Sequence, residues 1–196
     1  MDLSVSLDGF VAGPDDGLHR PLGRGGEELF TWMSAGPGSN RLERGLAPPD
    51  ASKVGMDEWM AEAGALIAGR RTSTSRTGGR RAIRSTYRSS WVTHRAPTHG
   101  EWSPRVSFVT EGVQLALELA MEAAGDRTVS VSGADVAQQL LRAGRIDEIQ
   151  GSVAPLLLGA GVRLFDHLDP DPIVLEQTRV IGSEGVTHLR YRVVRG

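Results

Sequence analysis

One continuous stretch constrains this chain more than any other. Val129 to Phe165, VSVSGADVAQQLLRAGRIDEIQGSVAPLLLGAGVRLF, sets strand, glycine turn, helix and strand end to end. Val129 and Val131 belong to a short β-branched run, and Ser132-Gly133-Ala134 removes side-chain bulk where the backbone must turn. Val136, Leu140 and Leu141 then fall at helical spacing, with Gly144 placed to end the helix and Asp147-Glu148 opening the next segment. A helix that starts behind a small-residue turn offers phosphate both unpaired N–H donors and a favourable dipole. The unit therefore reads as half of a nucleotide-binding site.

The rest of the chain extends the same alternation. Leu3, Val5 and Leu7 alternate like a half-buried strand that breaks at Asp8-Gly9 and resumes at Phe10-Val11-Ala12. Gly13 to Gly26 reads as loop, Glu27 to Met33 as a short helix, and Gly36 to Asp50 as a flexible insertion. A helix is expected over Met56 to Ala63, running into a buried strand Ala65-Leu66-Ile67-Ala68 and then Gly69-Arg70-Arg71-Thr72. Val106 to Val109 is a strand, and Val113 to Ala124 a helix with Leu115, Leu117 and Leu119 near its apolar side. Ile173-Val174-Leu175 and Val186 to Val194, joined through Gly182 to Gly185, form an antiparallel hairpin. Strand and helix in turn argue for α/β architecture with a largely parallel sheet, and 196 residues suit one domain.

Composition excludes several classes. The chain has no cysteine, which rules out disulfides, thiolate metal ligands and a cysteine nucleophile; no metal site is expected. A net charge of −2 argues against a general nucleic-acid binder, whose affinity rests on many cationic phosphate contacts. Apolar runs fall short of the ~20 residues that span a bilayer, and no signal-peptide pattern opens the chain, so a cytoplasmic protein without membrane contact is expected.

Four segments in order carry a family resemblance: Ser6-Leu7-Asp8-Gly9-Phe10-Val11-Ala12-Gly13, Gly64-Ala65 through Thr72, Thr93-His94-Arg95-Ala96-Pro97, and the whole Val129 to Phe165 block. Together they resemble the dihydrofolate reductase superfamily, and more closely its branch containing the C-terminal reductase domain of riboflavin biosynthesis. The likeness fails at residues 14 to 52 and 73 to 90. It implies a three-layer α/β/α sandwich around a mixed, mostly parallel sheet, an NADPH cofactor, and reduction of a small pterin-like or pyrimidine-like heterocycle. A homodimer through the C-terminal strands is a further family-level expectation. Composition and spacing by themselves reach only a nucleotide-compatible α/β domain.

By the same resemblance, Gly69, Arg70, Arg71 and Thr72 form the strand-to-helix turn that holds cofactor phosphates. A guanidinium suits that task as a planar fork, and a hydroxyl adds a neutral bond. Ser132, Gly133 and Ala134, with Asp135 and Val136 behind them, match the glycine pair that approaches nicotinamide and pyrophosphate, although serine replaces the first glycine. Thr93 and His94 fall at the adenosine side. Hydride transfer needs a way to protonate the substrate, so carboxylates near the site matter. The candidates are Asp57, with Glu58 beside it, and Asp8. Solvated helix-face charges are the favoured account of the first pair, and a turn cap is the alternative for Asp8.

Residues 73 to 90, STSRTGGRRAIRSTYRSS, depart most from such relatives, which carry a Phe-Asp pair, a Gly-Trp-rich loop and a valine strand there. No acid occurs between Glu62 and Glu101, where eight arginines lie; the whole chain has 21 arginines and a single lysine. Three readings stand: divergence, a basic loop for an anionic ligand or RNA, and translation out of frame. The genetic code is compatible with the third. Ser73-Thr74-Ser75 written TCG-ACA-TC gives Phe-Asp-Ile once a T is restored in front, and Arg88-Ser89-Ser90-Trp91 written CGG-TCG-TCG-TGG gives Val-Val-Val from the third base. The same offset serves both ends. On this reading residues 73 to 90 are expected to be loop-like or badly packed. The leading functional expectation is an NADPH-dependent reductase; a non-catalytic nucleotide- or pterin-binding module of the same fold is the alternative.

Overall fold

The computed structural model describes residues 1–17, 19–33, 48–70, 87–98 and 102–195. In order, the elements are β1 (Asp2–Ser6), β2 (Phe10–Ala12), a 3-10 helix (Gly26–Met33), α1 (Asp50–Glu62), β3 (Ala63–Gly69), β4 (Arg88–Val92), β5 (Val106–Val109), α2 (Val113–Ala124), β6 (Thr128–Ser132), α3 (Ala134–Arg142), β7 (Glu148–Ala154), β8 (Val162–Arg163), β9 (Leu175–Ser183) and β10 (Val186–Val193).

Two four-stranded sheets, ordered β5-β4-β3-β6 and β1-β7-β10-β9, meet where β1 runs beside β6. Within them β3 pairs in parallel with β4 and β6, β4 with β5, and β1 with β7; β10 is antiparallel to both β7 and β9. Strands β2 and β8 form a small antiparallel ribbon. The architecture is mixed α/β with a mostly parallel sheet and a C-terminal hairpin, as the alternation of periodicities requires.

Side chains alternate across a strand, so the register fixes which residues share a face. One face carries Ala65, Ile67, Val131 and Ile149, which pack with Ala116, Leu117, Ala120 and Ala124 of α2 and Val136, Ala137, Leu140 and Leu141 of α3. The opposite face bears α1 and the 3-10 helix. Ser52 of α1 bonds His188 of β10, Glu58 bonds Arg179 of β9, and Glu62 bonds Arg190 of β10, so α1 lies across the hairpin. Helices therefore pack on both faces of the sheet.

Several expectations need correction. The α1 helix begins at Asp50, six residues before the expected Met56: Pro49 supplies its N-cap and Asp50 an acid in the first turn. Strand β1 is not half-buried. Ser4 and Ser6 are as enclosed as Val5, because α1 and the 3-10 helix cover the second face, and Leu7 lies beyond the strand at 70% exposure. In α2 the buried set is Ala116, Leu117, Ala120 and Ala124, while Leu119 is exposed; positions 115, 117 and 119 follow period two rather than the helix's 3.6.

Residues 88–90 are not loop-like. They open β4, paired on both sides, with Ser89, Ser90 and Trp91 buried. Their chemistry fits the place poorly. Leu66 of β3 faces Ser89 on one side and Ser130 of β6 on the other, and neither hydroxyl has a hydrogen-bond partner among the described residues. The indole N–H groups of Trp91 and Trp102 are also buried without a partner among the described residues. These two rings and Phe108 pack edge to face, with centroids 5.1–5.6 Å apart. Residues 73–86, and those of the 36–50 insertion up to 47, lie outside the described residues.

Candidate functional site

Ligands of open α/β sheets bind outside the carboxyl ends of parallel strands, where the strand order runs away in both directions. Here that point is the junction of β1 and β6, from which β7, β10 and β9 extend one way and β3, β4 and β5 the other. Gly69 ends β3 with Arg70 after it, Thr93 and His94 follow β4, and Ser132 ends β6 with Gly133 after it, so the structure gathers these predicted residues along one carboxyl edge. Asp8 joins them: Leu164 N–H donates to the Gly9 carbonyl, and Gln138 of α3 donates to the Leu164 carbonyl at 3.1 Å, which ties the turn after β1 to the helix after β6. Arg71 and Thr72 lie outside the described residues.

Each turn has a local cause. Gly133 sits at φ +101°, a conformation that disfavours any Cβ, and α3 begins at the next residue. Ser132 ends its strand without positive φ, so serine is tolerated where the family resemblance implied glycine. Behind this turn Ala134 and Val136 are buried and anchor the helix, while Asp135 is exposed and accepts a bond from Gln139 one turn on. At Gly69 a Cβ would stand 3.3 Å from the Val136 side chain, so β3 and α3 approach closely there. Thr93 is buried; its hydroxyl donates to the Arg95 carbonyl at 3.0 Å and accepts from the Arg95 N–H, closing a turn after β4 that leaves His94 exposed.

Both candidate acids are engaged by neighbouring groups. Asp8 accepts from the Ser6 hydroxyl at 2.6 Å and from the N–H groups of Leu158 and Gly159 at 3.1 and 2.7 Å. The Ser6 bond first, then those two, hold its pKa down to about 2. Asp8 is thus the clamp between the β1–β2 turn and the glycine-rich turn after β7. That junction is backbone on backbone: Gly161 has φ +135°, and a Cβ there would lie 2.0 Å from the Ala12 carbonyl oxygen. Asp57 is exposed and paired with Lys53 on the outer side of α1, and Glu58 is paired with Arg179.

Two features escape a reading by motif. Arg163 of β8 lies over the Phe10 ring at 4.6 Å, beside the Asp8 turn. Beneath the edge, Ser4, Ser6, Ser152 and His188 form a polar floor under α1. The signal for that floor was serine at alternate positions of a strand otherwise read as one-sided. What the edge offers chemically is anion binding: free N–H groups at the start of α3, bare backbone at Gly133, and a guanidinium at Arg70.

The comparisons agree with this geometry. The family model described as the RibD C-terminal domain matches residues 1–187. No curated protein matches in sequence. Among solved structures, a riboflavin-biosynthesis-type protein from Shewanella sp. PV-4 superposes with a TM-score of 0.70 at 17% identity, covering 99% of this chain and 97% of the other. A diaminohydroxyphosphoribosylaminopyrimidine deaminase/5-amino-6-(5-phosphoribosylamino)uracil reductase from Thermotoga maritima gives 0.61 at 15%, covering 98% of this chain but 55% of that longer one. Dihydrofolate reductase from Enterococcus faecalis, in complex with NADP(H), gives 0.54 at 13%, covering 98% and 94%. At these identities the likeness establishes the fold.

Proposed function

The chain belongs to the RibD C-terminal domain family, and from that premise we propose that it is a cytoplasmic, single-domain, NADPH-dependent reductase of a small pyrimidine-like or pterin-like heterocycle. The observation that carries the reading is the gathering of Gly69-Arg70, Thr93-His94 and Ser132-Gly133 on one carboxyl edge at the strand-order switch point. The edge fits a dinucleotide: backbone without a Cβ at Gly133 permits close approach, Gly69 lets β3 and α3 pack closely behind it, and the start of α3 presents donors to a pyrophosphate. Arg70 would hold phosphate, with Arg71 and Thr72 after it in sequence, and Thr93 and His94 would border the adenosine. When bound, NADPH supplies the hydride. The protein's part is to hold the Asp8 clamp rigid, so that the turn after β1 keeps one wall of the crevice fixed, and to exclude water with the buried side chains beneath it. A homodimer through the C-terminal strands is part of the same reading; β9 is an edge strand with Val180 half exposed.

One observation favours the second reading, a non-catalytic nucleotide- or pterin-binding module: both candidate acids are already held by other partners. Steady-state oxidation of NADPH, followed at 340 nm with dihydrofolate and with the phosphoribosylaminouracil for which the T. maritima protein is named, separates the two. Turnover of either heterocycle supports the reductase. Saturable NADPH binding with no turnover of any reducible pyrimidine or pterin supports the module.

A further inference from the structure

His188 is the one described histidine buried in the fold, at 8% exposure, and it joins three elements. Its Nδ1 lies 2.9 Å from the Ser152 hydroxyl of β7, its register partner, and its Nε2 lies 2.8 Å from the Ser52 hydroxyl of α1. The Trp32 ring of the 3-10 helix meets it edge to face, centroids 4.9 Å apart. Ser52 is fully enclosed and Ser152 nearly so. We infer that His188 is a proton-controlled latch: neutral, it fastens α1 and the 3-10 helix to the sheet beside the candidate site, and on taking up a proton it lets them go.

The chemistry of the three groups makes the latch state-dependent. A neutral imidazole is donor at one nitrogen and acceptor at the other, and a hydroxyl complements either role, so Ser52–His188–Ser152 is a satisfied chain in both tautomers. An imidazolium donates from both nitrogens. Each serine must then turn its lone pair inward and its proton elsewhere, and a full charge sits where water does not reach.

No counter-charge is at hand to offset that cost among the described residues. On α1, Glu58 is bound to Arg179 and Glu62 to Arg190, while Lys53 and Asp57 pair with each other and Asp50 is exposed in the first turn. Glu148 of β7 is also bound to Arg190, which lies two residues along β10 on the same face as His188 and adds a like charge. On β9, Ile181 faces His188 and Arg179 follows at the next position on that face. The positions of β1 and β7 on this face are Asp2, Ser4, Ser6, Gln150 and Ala154, with Asp2 in register with Gln150 and so level with Arg190, one step along from His188, and the 3-10 helix holds Glu27 and Glu28 in solvent. Asp8, beyond Ser6, is held by Ser6, Leu158 and Gly159. Burial accordingly moves the imidazole below its ordinary 6.5. Stability from this site is therefore complete above pH 6.5 and falls as pH drops from there toward the folded-state value, because the unfolded chain takes up the proton first.

The test is hydrogen exchange of the intact protein between pH 7.5 and 5.5, with urea unfolding alongside, on the wild type and His188→Gln. The glutamine keeps a donor and an acceptor and does not titrate. Expected for the wild type is a folding equilibrium constant that drops up to tenfold per pH unit below 6.5, with α1 amides losing protection ahead of those of α2. In His188→Gln both effects shrink. Equal pH dependence in both proteins, or α1 and α2 opening together, overturns the latch. Should His188→Gln fail to fold, the wild-type imidazole resonance decides: a midpoint at or above 6.5 overturns the proposal, and one below it sustains it.

Discussion

Replacing Ser89 by valine is expected to stabilise the protein. Ser89 is 2% exposed in the middle of the β5-β4-β3-β6 sheet, between Leu66 and Val106 in register, and its hydroxyl finds no partner among the described residues. A buried hydroxyl left unpaired costs about 1–3 kcal/mol. Valine removes that penalty and sets two methyl groups in place of the one hydroxyl, a net gain of one heavy atom worth ~0.8 kcal/mol. It also suits a strand better, being β-branched. Against this stands overpacking, since a well-filled site resists an added methyl by ~1–3 kcal/mol. The missing hydrogen bond decides the sign, and the net expectation is a gain of about 1–2 kcal/mol, a rise in Tm of roughly 2–8 °C for a chain of this size. Urea unfolding followed by tryptophan emission measures it as a higher midpoint at unchanged slope. Ser107→Val, on an exposed position of β5, is the control and should move stability by no more than ~0.5 kcal/mol. A lower midpoint for Ser89→Val would refute the reasoning, showing that the site is built for a polar group. It would also weaken the out-of-frame origin of this segment, whose alternative frame places valines along β4. Sequencing the coding DNA tests that origin separately: codons unable to yield valine in the shifted frame would exclude it.

Other outcomes follow from the same contacts. Gly161→Ala should cost ~3 kcal/mol or more in urea unfolding, because its Cβ would overlap the Ala12 carbonyl at positive φ; Gly144→Ala, at φ +63° with open space around it, should cost only ~1–2 kcal/mol. Asp8 contributes stability above its ordinary 3.8 that is lost as pH falls through about 2, so Asp8→Asn should flatten the acid limb of the unfolding profile below pH 4 while lowering stability at neutral pH. Gly133→Val should weaken NADPH binding at least tenfold with the far-ultraviolet circular dichroism unchanged, since the φ of +101° and the bare backbone are both needed at that turn; undiminished affinity would remove this turn from the cofactor site.

What could be read from the sequence was what rests on local periodicity. The β6–α3–β7 unit matches the expected positions of Val136, Leu140, Leu141 and Gly144 because helix spacing, a glycine stop and a β-branched run all agree there. The hairpin was legible in its turn and in β10, but its first strand runs over Leu175–Ser183 instead of Ile173 to Leu175, because the polar and charged residues Glu176 to Arg179 hide a strand exposed along its length. The start of α1 was missed because Pro48 and Pro49 look like loop until one sees that proline is tolerated at a helix entry. Strand β4 was obscured by Arg88, Ser89 and Ser90, residues of low strand preference that neighbours on both sides nevertheless hold in register. The site was legible as motifs, but which of its groups are tied up and which are free was not. That Asp8 is a clamp depends on Leu158 and Gly159, about 150 positions away, and that His188 matters depends on Ser52 and Trp32. Long-range hydrogen bonds leave no periodic trace.

The most direct test of the reductase reading is a titration of the intact protein with NADPH and, in parallel, NADH, followed by quenching of tryptophan emission and energy transfer to the bound nicotinamide. Saturable binding with NADPH preferred is the predicted result. A folded protein that binds neither nucleotide would contradict a cofactor site on the carboxyl edge of β3, β4 and β6.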